Sequence, residues 1–147
     1  MRKGLLLVGL LVAPLVVAEA QAAQDLDQSL RRLVADYIDL YTRETLAKWR
    51  ALFLPTFTAA SVRADSGVSV RTLDEFYSSQ ERAFASATRM GERLENVQID
   101  RRGRMASVWA DFVYWHDDPG RKGRLVLTAI FQRDGWKFHS LMFSYYD

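Results

Sequence analysis

Asp111 is the acidic residue whose neighbours in the sequence point most clearly to chemistry. It lies between Trp109 and Trp115 in a run whose two-residue alternation is typical of a β-strand. A carboxylate that faces an aromatic cavity has a raised pKa, because burial disfavours the charged form, and it can then serve as a general base. Asp111 is therefore the candidate catalytic residue.

The direction of the Asp111 side chain depends on the register of its strand and stays open. One register points Asp111 inward. A shift of one residue turns every side chain to the other face and leaves Asp111 outside. That second register buries a more uniformly apolar set, which favours the outward position. The residues it would bury are Val108, Ala110, Phe112 and Tyr114.

Large aromatic side chains are the candidates for a ligand cavity. In a domain of this size most of them must fill the core, so both roles stay open for each one. Tyrosine and tryptophan are the better candidates, because their polar tips tolerate a partly open site. The predicted ligand-binding residues are Tyr41, Trp49, Tyr77, Trp109, Phe131 and Trp136.

The sequence predicts neither a metal nor a cofactor. His139 falls on the outer face of a predicted strand, and His116 lies where another strand meets a turn, so the two are not expected to share a site. The chain has no cysteine, no glycine-rich phosphate loop and no Gly-x-Ser-x-Gly nucleophile motif.

The first 22 residues have the pattern of a secretory signal peptide. Arg2 and Lys3 precede an uncharged run at residues 4–18, and small residues follow at positions suited to cleavage. The run is short for a bilayer-spanning helix, so we expect no membrane span after cleavage. This predicts a periplasmic or secreted domain over residues 23–147.

The charge of the chain argues against nucleic acid as a partner. It has 20 basic and 18 acidic residues, and two of the basic ones and one acidic one fall in the predicted signal peptide. The remaining domain is close to neutral and lacks the concentrated basic face that nucleic-acid binding requires.

Apolar residues between Leu26 and Phe53 recur at spacings of three and four, which predicts two helices with a break at residues 42–45. Leu54-Pro55 is expected to end the second helix. A capping box formed by Thr72 and Glu75 predicts the start of a third helix, which is expected to end near Gly91.

Strand patterns account for the rest of the chain. A short hairpin is predicted around Asp65-Ser66-Gly67, and residues 94–145 form long antiparallel strands rich in Val, Phe, Tyr and Trp. Asp134-Gly135 predicts a two-residue turn. The register that follows pairs Phe131 with Phe138, Ala129 with Ser140 and Leu127 with Met142, all on the helix-facing side.

The opposite side of this last hairpin is too apolar for a fully wetted surface. It carries Leu141, Phe143 and Tyr145 beside Val126 and Ile130. An exposed apolar face of this kind is typical of an interface, so we expect a homodimer that forms through the outer sheet face.

The order of these elements resembles the nuclear transport factor 2-like superfamily, which includes the SnoaL-like proteins. Short segments at residues 51–55, 93–100, 106–110 and 134–137 look like landmarks of its bacterial lumazine-binding branch. The resemblance implies an α+β cone-shaped fold, with three N-terminal helices packed on a curved antiparallel sheet, a cavity at its wide end and frequent dimers.

The resemblance leaves the chemistry open, because one fold hosts many functions. The sequence favours a non-catalytic domain that binds a small apolar or aromatic molecule. One alternative is a cofactor-independent isomerase, hydrolase or dehydratase that uses Asp111 as base and Tyr41 or Tyr77 as hydrogen-bond donor. Another is a structural dimer module without a ligand.

Overall fold

The computed structural model describes residues 13–146, which form an α+β fold of three helices and six strands. Most of the predicted signal peptide lies outside these residues, and its boundary at residue 22 stays a prediction. The helices are α1 (Ala13–Asp39), α2 (Leu46–Arg50) and α3 (Leu73–Ser86). The strands are β1 (Phe53–Val62), β2 (Val68–Thr72), β3 (Met90–Arg102), β4 (Met105–His116), β5 (Arg121–Gln132) and β6 (Gly135–Tyr145).

A curved six-stranded sheet in the order β2-β1-β6-β5-β4-β3 forms one layer, and the helices cover its inner face. The predicted hairpin (β1 and β2) and the four-stranded meander (β3 to β6) are both present. They are joined by β1 and β6, which pair in parallel, whereas every other pair is antiparallel. This joint brings the end of β1 beside the end of β6, where Val62 faces Ser144.

The break between the first two helices is confirmed. A stripe on α1 buries Leu30, Leu33, Val34 and Tyr37 against the sheet. Trp49 on α2 is 1% exposed and donates its indole N–H to the Tyr37 carbonyl at 2.9 Å, which fixes the short helix against the long one. None of the helices in the described part is long and apolar enough to cross a membrane.

The predicted end of the second helix at Leu54-Pro55 is wrong. The helix ends at Arg50, and Pro55 lies inside β1. Proline is tolerated there because the pairing of β1 with β6 is irregular between Phe53 and Thr58, and the pairing with β2 begins only at Thr58. No ladder hydrogen bond therefore requires the N–H that proline lacks.

The start of α3 is confirmed and its predicted end is wrong. The Thr72 hydroxyl accepts the Glu75 N–H, and the Glu75 carboxylate accepts the Thr72 N–H at 2.8 Å. The helix ends at Ser86, five residues before Gly91, which belongs to β3. A Cβ at Gly91 would lie 2.4 Å from the Trp115 ring, so this glycine serves a close approach between strands.

The predicted register of the last hairpin is also wrong. Phe131 pairs with Trp136 and Ala129 pairs with Phe138. Gly135 has a positive φ of 108° and Asp134 does not, so the turn is not the type I′ turn, which needs positive φ at both central residues. The turn starts one residue earlier than predicted, and the pairing moves with it.

A β-bulge in β6 then changes which side chains face inward. The pairing with β5 shifts between Ala129 and Thr128, at His139 on β6. Beyond that point Leu141 is buried and Met142 is 47% exposed, which reverses the predicted sides. Phe143 and Tyr145 also turn inward, although the sequence placed them on the outer face.

The outer face of the sheet keeps an apolar patch despite this change. Trp109, Val126 and Met142 are register neighbours across three strands, and Trp109 is 47% exposed. That a second copy of the chain covers this patch stays a prediction.

We expect Gly123→Ala to lower the free energy of unfolding by about 1–3 kcal/mol, as overpacking does in well-packed cores. The new Cβ would lie 2.3 Å from the Ser144 carbonyl oxygen and 2.5 Å from the Phe112 ring. Urea denaturation measures the loss. Lys122→Ala, at the exposed neighbouring position, is the control. Equal stability of the two variants would contradict the close approach.

Candidate functional site

An open cavity of about 570 Å³ lies between the helices and the inner face of the sheet. Its opening is at the end of the sheet where β1 and β6 finish and β5 begins. The cavity wall is rich in aromatic residues, and it is built by all three helices and all six strands. The aromatic residues are Tyr37, Tyr41, Trp49, Phe76, Phe112, Tyr114, Phe143, Tyr145 and Tyr146.

In the part of the chain that the structure describes, Glu92 is the one acidic residue that lines the cavity. It pairs with Tyr114 across β3 and β4, so both side chains point to the inner face. Its Oε1 atom is shielded from solvent and, alone among the buried side-chain polar atoms of residues 13–146, has no hydrogen-bond partner. A buried oxygen without a partner is costly and marks a position that a ligand or water can satisfy.

Removal from water raises the pKa of the Glu92 carboxyl to about 8. The neighbouring Tyr37 hydroxyl opposes this shift but does not cancel it. The carboxyl group is therefore mainly protonated at neutral pH, and in that form it can donate a hydrogen bond as well as accept one.

The tyrosines of the cavity also stay protonated. Burial and the proximity of Glu92 raise the pKa of Tyr37 and of Tyr41 well above the ordinary value. Burial, the largest cause, likewise raises the pKa of Tyr145 to about 12. Tyr41 donates its hydroxyl proton to the Gln80 side chain on α3, which holds the helix against the cavity wall. The interior is thus polar at several points but uncharged at neutral pH.

Three arginines stand at the cavity opening. Arg121 on β5 stacks over the Tyr145 ring at 3.8 Å, and Arg71 on β2 donates to the Ser79 hydroxyl at 3.4 Å. Arg63 follows β1 and is paired with Asp65 at 3.3 Å. The described residues therefore give the cavity a rim with positive charge at Arg71 and Arg121 above a neutral interior.

Asp111 lies outside the cavity, on the outer face of the sheet. It pairs with Arg124 at 3.0 Å and accepts hydrogen bonds from Asn96 and Tyr146. The hydrogen bonds from Tyr146, Asn96 and Arg124 lower the pKa of the Asp111 carboxyl to about 2. The favoured outward direction is confirmed, and the raised pKa that a general base at this position requires is absent.

Of the six predicted ligand-binding residues, the structure brings Tyr41 and Trp49 into the cavity wall. Trp109 faces outward beside Asp111, because the inward positions of β4 are the even-numbered ones. Tyr77 is one position away from the stripe of α3 that faces the cavity, and its ring lies under Arg50.

Phe131 and Trp136 lie away from the cavity, next to the β5–β6 turn. The centroids of their rings are 5.4 Å apart. Trp136 donates its indole N–H to the Leu26 carbonyl at 3.0 Å. Both belong to the packing between α1 and the sheet.

The two histidines do not meet. His116 is within 3.2 Å of both the Ser86 hydroxyl and the Ala83 carbonyl, at the end of α3. His139 is exposed at the bulge of β6 and lies 3.4 Å from the Thr128 hydroxyl.

Sequence reasoning missed Glu92, although a signal for it was present. Glu92 and Leu94 are two residues apart and share the inner face of β3. A charged residue in the apolar series of a strand marks a buried polar site. The signal was hidden because Gly91 was interpreted as the end of a helix, which placed Glu92 in a loop.

Comparison with known proteins identifies the fold and a family. The sequence profile of the SnoaL-like domain matches residues 30–147. No curated protein matches the chain.

Solved structures with the same architecture are numerous. An NTF2-like protein with a cystatin-like fold from Novosphingobium aromaticivorans superposes with a TM-score of 0.69 at 12% identity, over 89% of this chain and 88% of that one. A proposed dehydratase of the NTF2-like family from Streptomyces avermitilis gives 0.67 at 16% identity, over 86% and 99%. A proposed aromatic ring hydroxylase from Novosphingobium aromaticivorans gives 0.64 at 16% identity, over 84% and 90%.

These similarities establish the nuclear transport factor 2-like fold, and at such identities they do not establish a reaction. The finer assignment to the lumazine-binding branch stays a prediction.

We expect Glu92→Gln to gain stability relative to the wild type as the pH rises from 4.5 to about 8. Because the carboxyl has a pKa of about 8 when folded and an ordinary value near 4.5, the unfolded chain releases this proton first. The wild type therefore loses up to about 1.4 kcal/mol of unfolding free energy per pH unit in that window, and the glutamine variant does not. Urea denaturation at several pH values measures the difference.

Asp111→Asn is the matched control, because the contribution of Asp111 to the unfolding free energy changes with pH in the opposite direction. Its folded pKa is lowered to about 2, so its ionised form stabilises the native state above pH 4 and that contribution is lost on acidification. A pH-independent difference between Glu92→Gln and the wild type would contradict the buried, protonated carboxyl.

Proposed function

The chain belongs to the SnoaL-like domain family, and we propose that it is an exported domain that binds a small apolar or aromatic molecule in its cavity. The observation that carries the proposal is an open, aromatic-walled space of about 570 Å³ with an unsatisfied carboxyl oxygen inside it. Ligand cavities commonly have this composition, with many apolar contacts and a few polar groups that orient the ligand. Export to the periplasm or the medium rests on the N-terminal sequence pattern.

The shape of the cavity supports binding over a purely structural role. A structural module would fill the space beneath its sheet with its own side chains, as the opposite end does with Phe131 and Trp136. At the open end the rings of Phe112, Phe143 and Tyr145 contact one another in edge-on pairs and leave space between them and α3.

Acid–base catalysis at Glu92 is the second candidate. The observation that favours it is a carboxyl group with a pKa of about 8 next to the Tyr37 hydroxyl, since a group that titrates near neutral pH can take up and release a proton during a reaction. In this alternative Glu92 has the role of general base that was predicted for Asp111.

We expect the neutral probe N-phenyl-1-naphthylamine to bind the wild type with a rise in fluorescence, and Ala83→Trp to weaken that binding at least about tenfold by filling the cavity. Ala83 lines the cavity from α3. Ala85→Trp puts the same side chain on the exposed side of the same helix and should leave binding unchanged. Equal binding by both variants would show that the probe does not occupy the cavity.

Mass spectrometry of molecules that copurify with the protein separates the two candidates. A binding protein retains the same molecule in the wild type and in Glu92→Gln. An enzyme that uses Glu92 retains substrate in the variant and product, or nothing, in the wild type.

A further inference from the structure

Charge is distributed unevenly along the cavity. Among residues 13–146, the residues that line the cavity include three arginines, Arg63, Arg71 and Arg121, and one acid, Glu92. The carboxyl of Glu92 is mainly protonated at neutral pH, because burial raises its pKa to about 8. Arg63 is paired with Asp65, so the positive charge that the described residues place at the opening comes mainly from Arg71 and Arg121, and the carboxyl inside does not cancel it.

The register of three strands fixes the positions of Glu92 and Arg121 relative to each other. Glu92 pairs with Tyr114 across β3 and β4, and Tyr114 pairs with Arg121 across β4 and β5. All three residues line the cavity. Neighbouring strands are about 4.8 Å apart, so the backbone positions of Glu92 and Arg121 are separated by about 10 Å. Tyr114 lies between them, so the neutral carboxyl and the charged guanidinium belong to one row of the cavity wall, two strands apart.

Arg121 is held at the rim by its contact with an aromatic wall residue. The central carbon of its guanidinium group lies 3.8 Å from the centroid of the Tyr145 ring. The centroids of the Tyr145 and Phe112 rings are 5.3 Å apart. A ring that entered the cavity would lie against the same aromatic wall, and a substituent directed outward would reach the guanidinium. Arg71 contributes positive charge from the β2 side of the opening.

We infer that the ligand is an aromatic anion whose ring lies in the cavity and whose carboxylate, sulfonate or similar group stays at the rim beside Arg121 and Arg71. This inference rests on the proposed function. A cationic ligand fits less well, because it would meet Arg71 and Arg121 at the opening and a neutral carboxyl inside. An Arg–anion pair at a partly open rim also leaves the charged group hydrated, which avoids the cost of burying it.

The test compares two fluorescent probes with the same ring system. One is 8-anilinonaphthalene-1-sulfonate, which is anionic, and the other is N-phenyl-1-naphthylamine, which is neutral. We expect the wild type to bind the sulfonate more tightly than the neutral probe at low salt, and added salt to remove the preference. Ala83→Trp should weaken both probes.

Arginine variants then locate the charge effect. Arg121→Gln and Arg71→Gln should each weaken sulfonate binding about two- to fivefold, as expected for partly exposed ion pairs, and leave the neutral probe unchanged. Arg121→Lys should keep most of the preference. Arg133→Gln makes the same change in net charge at the opposite end of the sheet and should have no effect. Thermal unfolding of each variant confirms that it is folded.

The outcomes separate this inference from the proposed function. If the neutral probe binds in the cavity but the sulfonate binds no more tightly, or if Arg133→Gln weakens the sulfonate as much as Arg121→Gln does, the inference is wrong and the binding function stands. If Ala83→Trp affects neither probe, both are wrong.

Discussion

A carboxyl group removed from water destabilises a fold unless it takes up a proton or finds a hydrogen-bond partner. Glu92 is in this position. Its Oε1 atom has no partner, its neighbours are aromatic, and the pKa of its carboxyl rises to about 8. The neutral interior of the cavity, the contrast with the positive rim and the acid–base alternative depend on this one group. If Glu92 were ionised, the cavity would contain a negative charge and would favour a different class of ligand.

Two irregularities in the sheet place the groups around Glu92. The pairing of β3 with β4 shifts between Glu95 and Gln98, where Asn96 has a positive φ of 52°. The second shift is the bulge at His139 in β6, which turns Leu141, Phe143 and Tyr145 inward. A bulge changes the face on which all later residues of a strand lie. Without the second one, Met142 would occupy the cavity side and the aromatic wall would be incomplete.

Much of the fold could be predicted from the sequence, because local patterns agree with the tertiary structure. The Thr72–Glu75 capping box and the helix break before Leu46 are present as expected. The sequence also favoured an outward Asp111, since burying Val108, Ala110 and Phe112 is cheaper than burying a carboxylate.

The site was predictable only in part, because its geometry depends on features without a local signal. A bulge leaves no clear mark in the alternation of one strand, so the inward turn of Phe143 and Tyr145 was missed. Gly91 and Pro55 are residue types with two physical uses each, and the local pattern favours the use that ends a helix for both. The periodicity of apolar residues indicates a buried position for Tyr41 and Trp49, and both are buried, although Tyr41 follows the end of α1.

Carbon-13 NMR of protein labelled at the glutamate side-chain carboxyl carbon tests the central claim most directly. The Glu92 signal can be assigned by its loss in Glu92→Gln and followed as the pH is raised. The account predicts that this signal titrates near pH 8, so that the group is mainly protonated at pH 7. Titration near pH 4.5, the ordinary value for glutamate, would contradict it.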